Sequence, residues 1–178
     1  MAQEARFQLG LAGAVLMVTG KAPHKRIEPE PGAKVRLELA RRAAEEEPGL
    51  EASGLEVDRD GLSYTYLTLE QLRDEEPDRE LFFLLGADMA AGLASWKEPG
   101  RVLAAARLGV VPRPGVGLGA VRSALDRFDA ADRAEIIEMP LCGISSTIIR
   151  ERAAAGQPLR HLVPDGVADL IAERGLYR

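Results

Sequence analysis

The chain has 178 residues, of which 46% are hydrophobic, so it is long enough to bury the core of one ordinary domain. Its formal net charge of -5 at pH 7 argues against a protein that coats nucleic acid or an anionic membrane. Cys142 is the single cysteine, which excludes an intramolecular disulfide. Apolar runs stay far below the roughly 20 residues of a membrane helix, and the N-terminus lacks a signal-peptide layout. We therefore expect a cytoplasmic protein with one domain over residues 1–178.

Helix-type and strand-type patterns alternate along the chain. The first helix is predicted at residues 1–9, before Gly10, and the last at 164–174, with a proline in its first turn and Gly175 at its exit. Further helices are predicted at 33–47, 65–76, 87–93, 100–106, 121–127 and 147–155, and the glutamates at 45–47 are expected on a solvated face. Strands are predicted at 14–18, 50–57, 81–85, 108–111 and 135–139.

This alternation is typical of an α/β fold with a doubly wound, mostly parallel sheet that carries helices on both faces. In such sheets ligands bind beyond the carboxyl ends of the strands. The loops that follow the predicted strands are therefore the places to look for a binding site.

The loop after the last predicted strand leads into a helix that begins Ser145, Ser146, Thr147 and carries Arg150 in its first turn. Amides at a helix N-terminus lack intrahelical acceptors and can bind an anion, to which the hydroxyls add hydrogen bonds. Arg150 adds a planar fork suited to phosphate oxygens. The simpler alternative is an ordinary hydroxyl cap with a solvent-facing arginine.

The first loop, at residues 19–32, carries a basic segment directly after a strand. His24 is a donor and Lys25 a mobile point charge, and together they could close over a polyphosphate. A solvated basic loop is the competing interpretation.

Two further segments carry side chains that suit a nucleotide. Residues 63–65, which include Tyr64 and Thr65, begin another helix, where amides and hydroxyls could receive a carboxylate. Gly86 follows the presumed central strand and allows close backbone approach, while Asp88 can accept hydrogen bonds from ribose hydroxyls. Trp96 is the only tryptophan; a lone tryptophan often fills a core, but its indole also suits stacking on an aromatic ring.

In their order and spacing these segments resemble the bacterial nicotinate mononucleotide adenylyltransferases. The resemblance covers nearly the whole chain, and the closing residues 162–177 take part in it. Each motif by itself is weak, whereas four of them in order with matching spacing are highly specific. The segments that carry the resemblance are Pro23-His24-Lys25, Tyr64-Thr65, Gly86-Ala87-Asp88 with Trp96, and Ile144 to Arg150.

The resemblance implies a Rossmann-like nucleotidylyltransferase that joins ATP to nicotinate mononucleotide, giving nicotinate adenine dinucleotide and pyrophosphate in NAD synthesis. It implies that Mg²⁺ is carried mainly on the ATP phosphates, with no metal ligands assigned in the protein. It assigns nicotinate mononucleotide to Tyr64, Thr65, Asp88 and Trp96, with Trp96 stacked on the pyridine ring. It assigns ATP to His24, Lys25, Gly86, Ser145, Ser146, Thr147 and Arg150.

The family pattern opens with a first strand and a glycine-rich loop that ends in a His-x-Gly-His motif, and these residues contain no counterpart. His24 and His161 do not match the motif, so no catalytic residue is assigned. Loss of one preorganised donor can cost roughly 10² to 10³ in rate, so we expect the printed chain to be a poor catalyst. The strands at 14–18 and 81–85 should each lack one neighbour. The hypothesis that follows is that the natural chain starts upstream of Met1.

Two other interpretations stay open. One is a non-catalytic protein that retains a nucleotide pocket. The other is a phosphopantetheine adenylyltransferase, which shares the type of helix start seen at Ser145, although Trp96 and the Tyr64-Thr65 pair speak against it. The sequence leaves open the choice between nicotinate and nicotinamide, and the oligomeric state, a homo-oligomer included.

Overall fold

The computed structural model describes residues 1–22, 30–140 and 142–178. Helices and strands alternate, as the sequence predicts. The strands are β1 (Ala14–Met17), β2 (Leu50–Ser53), β3 (Phe82–Gly86), β4 (Arg107–Val111) and β5 (Ala134–Ile136). The helices are α1 (Ala2–Leu9), α2 (Ala33–Glu45), α3 (Thr65–Glu75), α4 (Ala87–Ala91), α5 (Pro99–Ala105), α6 (Leu118–Asp126), α7 (Ser146–Ala154) and α8 (Asp165–Glu173), with short 3-10 turns at Leu93–Ser95 and Ala131–Arg133.

The chain divides into two compact units. The first unit comprises Met1–Ala12 and Tyr64–Pro140, and the second comprises Gly13–Ser63 and Leu141–Arg178. The first unit contains a sheet of strand order β3-β4-β5, and the second contains the pair β1-β2; every described pairing is parallel. The predicted α/β class with parallel strands is therefore confirmed. Among the described strands, β1 pairs with β2, and β3 pairs with β4.

In the first unit the central strand β4 forms the middle of the core. Leu108 and Val110 are completely buried, because strands of a parallel sheet are covered on both faces. Helix α1 contributes Ala5 to a smaller cluster that includes Val111 and Ile137. The apolar runs that predicted these strands are thus the residues that exclude water from the sheet.

In the second unit β1 runs parallel to β2, with Ala14 opposite Leu50. The last two helices enclose a separate apolar cluster whose buried members include Ile149, Leu159 and Ile171. Burying one such side chain contributes roughly 1.5 to 3 kcal/mol. This cluster anchors α7, the helix whose start carries the predicted phosphate-binding residues.

Several boundaries differ from the sequence prediction for local reasons. Strand β2 ends at Ser53, because the Ser53 hydroxyl accepts a hydrogen bond from the Leu55 amide at 3.2 Å and the chain then turns around Gly54. The helix predicted at 87–93 ends at Ala91, and Gly92 separates it from a 3-10 turn. Among the residues that the structure describes, helices long and apolar enough to cross a membrane are absent.

The predicted solvated glutamates include one with a defined partner. Glu46 is exposed, yet its carboxylate accepts hydrogen bonds from the amides of Gly166 at 2.7 Å and Asp165 at 3.3 Å, at the start of α8. A carboxylate at a helix N-terminus satisfies free amides and opposes the positive end of the helix dipole. We expect Glu46→Ala to lower the free energy of unfolding by about 1 kcal/mol, measured by urea denaturation.

Glu45→Ala provides the matched control, because it removes the neighbouring carboxylate at the end of α2. Surface substitutions of this kind change stability by roughly 0.5 kcal/mol or less. Equal effects of the two substitutions would show that the contact with α8 contributes nothing.

Candidate nucleotide-binding site

The backbone after β1, in the second unit, is fixed by side chains from distant parts of the sequence. The Gly20 amide donates to the Ser63 hydroxyl at 3.1 Å, and the Ser63 amide donates to the carbonyl of Lys21 at 2.9 Å. Arg36 donates to the carbonyls of Thr19 at 2.7 Å and Gly20 at 3.2 Å. The carboxyl end of β1 is therefore a rigid platform at the entry to the first loop.

The basic residues of that loop fall in a segment that the structure does not describe. His24 and Lys25, predicted to contact ATP phosphates, lie outside the described residues. After this segment, the Glu30 carboxylate accepts from the Gly32 amide and from the Arg36 guanidinium, both at 3.0 Å. Because Arg36 also binds the backbone after β1, one guanidinium ties together the two described ends of the loop.

The start of α7 has the geometry of an anion-binding helix terminus. Ser145 caps the helix, its hydroxyl accepting from the Ile148 amide at 3.2 Å. The structure gives the amides of Ser146 and Thr147 no acceptor among the residues it describes, and both side chains are exposed. Arg150 is half-buried and donates to the Thr147 hydroxyl at 3.3 Å. Two free amides, two hydroxyls and a guanidinium are thus available on one helical turn.

Tyr177 is the aromatic neighbour of this helix start. Burial raises the pKa of the Tyr177 phenol above its ordinary value of 10.0, an effect that the charges of Arg150 and Arg36 oppose and that of Glu30 reinforces. A raised pKa means that the folded chain holds the phenolic proton more tightly than the unfolded chain does. The free energy of unfolding is therefore unaffected by this group below about pH 10 and falls as the pH rises through the folded pKa.

We expect the phenol of Tyr177 to ionise above pH 10, because its burial penalises the phenolate. Spectrophotometric titration at 295 nm of the natural chain and of Tyr177→Phe isolates this group as the difference between the two curves. A midpoint of the difference curve at or below the value of a free phenol would contradict the burial.

In the first unit, an acidic and a basic side chain meet at the carboxyl ends of β3 and β4. Gly86 pairs with Val111 in the sheet, and Asp88 and Arg113 each follow two residues later. The Arg113 Nε lies 3.8 Å from the Asp88 Oδ1, and both side chains are more than half exposed. A Cβ on Gly86 would lie 3.0 Å from that Nε and closer still to the carboxylate. Gly86 therefore leaves room for a charged pair that remains open to a ligand.

Tyr64 and Thr65 lie at the start of α3. Tyr64 has extended backbone angles, and its carbonyl accepts from the Leu67 amide at 3.1 Å. Both residues are partly exposed, and neither hydroxyl serves as the cap of the helix. This end of α3 therefore keeps an aromatic ring and two hydroxyls available.

Trp96 follows the 3-10 turn after α4, where its amide donates to the carbonyl of Leu93 at 3.0 Å. Its indole meets the Phe83 ring edge-on, with centroids 5.9 Å apart and an interplanar angle of 78°. The indole packs against the core but stays partly exposed. It therefore has both a packing role and accessible surface for a ligand ring.

The sequence prediction does not include Arg113 and Arg36, nor the distant partner of Ser63. Arg113 follows β4 directly, so the strand-end rule that selected Asp88 could also have found it. Arg36 lies within a helix and has no local signal, since its partners come from two other parts of the chain. The hydroxyl of Ser63, in the predicted helix start at 63–65, accepts from the amide of Gly20, 43 residues away.

Comparison with known proteins identifies the family of the chain. The cytidylyltransferase-like family model matches residues 1–152. A probable nicotinate-nucleotide adenylyltransferase of Roseiflexus sp. (strain RS-1) is 39% identical over 179 residues, which is 100% of this chain and 89% of that protein. Its counterpart from Moorella thermoacetica is 33% identical, covering 99% of this chain and 83% of that protein.

A solved structure has the same fold at low identity. The Plasmodium falciparum nicotinic acid mononucleotide adenylyltransferase complexed with NaAD aligns with a TM-score of 0.72 at 16% identity, covering 94% of this chain and 83% of that chain. The family model that matches residues 1–152 places the chain in the cytidylyltransferase-like class. Within that class, the chain belongs to the nicotinate-nucleotide adenylyltransferase family.

Proposed function

We propose that this chain transfers the adenylyl group of ATP to nicotinate mononucleotide, yielding nicotinate adenine dinucleotide and pyrophosphate for NAD synthesis. The observation that carries the proposal is the start of α7, where free amides, hydroxyls and Arg150 are available to one anion. The near full-length similarity to nicotinate-nucleotide adenylyltransferases supports the choice of substrates. We further propose that residues 1–178 work as a single nucleotidylyltransferase domain.

In this proposal the start of α7 binds the phosphates of ATP, and Gly86 stays assigned to ATP as the resemblance implies. The amides of Ser146 and Thr147 bind phosphate oxygens, since the N-terminus of a helix favours negative charge. Arg150 donates two parallel hydrogen bonds to the same phosphate chain. His24 and Lys25 are proposed to approach the phosphates from the first loop, as the resemblance implies.

The first unit, in the same proposal, binds the mononucleotide. Asp88 accepts hydrogen bonds from ribose hydroxyls, and Arg113 supplies a positive charge for the mononucleotide phosphate. Tyr64 and Thr65 receive the nicotinate carboxylate, and Trp96 stacks on the pyridine ring. Charges more than half exposed in the free protein can exchange water for ligand at little cost.

The reaction is a phosphoryl-type displacement. A phosphate oxygen of the mononucleotide attacks the α-phosphorus of ATP, a new oxygen–phosphorus bond forms, and the bond to the oxygen that bridges the α- and β-phosphates breaks. Pyrophosphate leaves with the electron pair of that bond, and no covalent enzyme intermediate is required. Such a step depends mainly on alignment and on neutralising charge on the phosphate oxygens.

We propose that ATP enters as its Mg²⁺ complex, so that the ion is part of the substrate. Mg²⁺ keeps several water ligands and is usually bound through substrate phosphates. Clusters of three or more histidine, cysteine, aspartate or glutamate side chains suited to a metal are absent from the described ranges. The proposal therefore assigns no protein cage to the ion.

The binding part of the proposal is tested with Trp96→Ala. Loss of a stacking surface typically costs about 0.5 to 1.5 kcal/mol beyond buried area, so we expect the Kd for nicotinate mononucleotide to rise roughly threefold to tenfold. Isothermal titration calorimetry measures that Kd, and Trp96→Phe, which keeps a planar ring, should recover part of the affinity. An unchanged Kd in Trp96→Ala would refute the assigned ring site.

The catalytic part is tested separately with ATP, Mg²⁺ and nicotinate mononucleotide. Formation of nicotinate adenine dinucleotide supports the transferase. Binding of both substrates without any product would instead favour a non-catalytic nucleotide-binding protein. Product formation with phosphopantetheine in place of the mononucleotide would reassign the substrate.

A further inference from the structure

Four side chains of the first unit, carried by α3, by α5 and by the residue before α3, form a continuous row of contacts. The row consists of Glu70, Arg101, Tyr66 and Tyr64, and we call it the tyrosine clamp. Only Tyr64 belongs to the proposed mononucleotide site. The other three have no role in that site as described above.

The outer end of the tyrosine clamp is a two-point ion pair between helices. Arg101 on α5 donates from Nε to Glu70 Oε1 at 2.7 Å and from Nη2 to Glu70 Oε2 at 2.6 Å. The side-chain hydrogen bond from Arg101 lowers the pKa of the Glu70 carboxyl, and the bond to Glu70 raises the pKa of Arg101. Two parallel bonds fix the plane of the guanidinium, which a single contact would not do.

The fixed guanidinium in turn holds an aromatic ring. The Arg101 Cζ lies 4.3 Å from the centroid of the Tyr66 ring, within the range of a cation–π contact. Tyr66 is partly buried and packs against the core of the first unit. One face of this ring therefore receives the cation while the core restricts its rotation.

The inner end of the clamp is a stack of two tyrosines. The rings of Tyr66 and Tyr64 have centroids 6.0 Å apart and an interplanar angle of 28°. Tyr64 precedes the first turn of α3 and has extended backbone angles, so the helix itself does not define its side-chain direction. The stack on Tyr66 supplies that definition.

We propose that Arg101, held by Glu70 and acting through Tyr66, is a positioning residue that presets the Tyr64 ring for the nicotinate end of the mononucleotide. This inference rests on the proposed function, because it assumes that Tyr64 contacts that ligand. A side chain that is already ordered loses less rotational entropy on binding, so the clamp strengthens affinity without touching the ligand.

A second arginine provides the control that separates positioning from helix packing. Arg73 on α3 donates to the carbonyl of Ala104 on α5 at 3.1 Å. Like the pair of Glu70 and Arg101, this bond joins α3 to α5 across 31 residues of sequence. It is not part of the tyrosine clamp. Arg73→Ala therefore removes a bridge between the same helices and keeps the bonds and ring contacts of the clamp, although the Arg73 charge also helps to lower the pKa of the Glu70 carboxyl.

The test measures the Kd for nicotinate mononucleotide and for ATP by calorimetry in the full chain. We expect Arg101→Ala to raise the Kd for the mononucleotide about twofold to tenfold, as for release of one ordered side chain, and to leave the Kd for ATP unchanged. Arg101→Lys keeps a cation beside Glu70 and Tyr66 but not the planar two-point pair, so its Kd should lie between that of the natural chain and that of Arg101→Ala.

A double-mutant cycle with Tyr66→Leu identifies the route. If Arg101 acts through the Tyr66 ring, Arg101→Ala should add nothing to the Kd of Tyr66→Leu. Additive effects, or an equal rise of the Kd in Arg101→Ala and Arg73→Ala, would overturn the inference, as would an unchanged Kd in Arg101→Ala. Failure of the natural chain to bind the mononucleotide would instead overturn the proposed function on which the inference rests.

Discussion

Replacement of Gly20 by alanine is expected to lower the free energy of unfolding by about 3 kcal/mol, near the upper end of the effects of overpacking. A Cβ on Gly20 would lie 2.9 Å from the carbonyl carbon of Glu56 and closer still to the carbonyl oxygen. Both are backbone atoms, and Glu56 is buried, so a small side-chain adjustment cannot relieve the overlap. The chain must shift where it leaves β1.

The same shift should damage the platform after β1. The Gly20 amide donates to the Ser63 hydroxyl at 3.1 Å, and the Gly20 carbonyl accepts from Arg36 at 3.2 Å. Moving this backbone breaks or lengthens both bonds, and each intramolecular bond contributes about 0.5 to 1.5 kcal/mol. If the first loop contacts the phosphates, we therefore expect Gly20→Ala to raise the Kd for ATP as well as to lower the stability.

Urea denaturation followed by circular dichroism measures the change, with Gly119→Ala as the matched control. A Cβ on Gly119, in helix α6, would meet no described atom within 4 Å. Alanine in a helix is favoured over glycine by roughly 0.5 to 1 kcal/mol, so the control should raise the urea midpoint. A Gly20→Ala protein as stable as the natural one would show that the approach of Glu56 is not a real constraint.

Local signals in the sequence were enough to predict most of the elements. Gly10 adopts a left-handed conformation with φ 63° at the end of α1, which is why a glycine stops that helix. Pro164 comes directly before α8, and Gly175, with φ 57°, follows it. Such signals depend on the residues themselves, so they are readable without knowledge of the tertiary structure.

Side-chain partners from distant parts of the sequence could not be predicted in the same way. Glu46 was expected to face solvent, and its bonds to the start of α8 span about 120 residues of sequence. Likewise the hydroxyl of Ser63 can satisfy either a local amide or a distant one, and in the structure it accepts from the amide of Gly20, 43 residues away. The tertiary structure determines which partner such a side chain finds, and the hydrophobic periodicity of the sequence carries no information about that choice.

The candidate site shows the same division. The helix start of α7 was predictable because the cap Ser145, the hydroxyl residues Ser146 and Thr147, and Arg150 lie in one short segment. Arg113 was not predicted although it lies two residues after β4, the strand next to β3, and only the parallel register of β3 and β4 shows how near it lies to Asp88. Sequence therefore predicts a helix start within one segment better than it predicts side chains that neighbouring strands bring together.

Replacement of Arg150 by alanine is expected to weaken ATP binding by roughly tenfold to 150-fold. Hydrogen bonds to charged groups contribute about 1.5 to 3 kcal/mol, and a guanidinium can donate two of them to one phosphate. Arg150 is half-buried and already donates to the Thr147 hydroxyl at 3.3 Å, so little order is lost when phosphate arrives. Arg150→Lys keeps the charge but not the planar fork, so its Kd for ATP should lie between that of the natural chain and that of Arg150→Ala.

Arg152→Ala is the matched control, because it removes the same charge from the same helix. The Arg152 guanidinium donates to the carbonyl of Pro158 at 3.1 and 2.8 Å, at the far end of α7 from the serine cap. General loss of positive charge would weaken ATP binding equally in both variants, and more so at low salt. A specific phosphate contact weakens it in Arg150→Ala alone. Calorimetric titration at 0.15 M salt distinguishes the two, and equal Kd values would remove Arg150 from the proposed site.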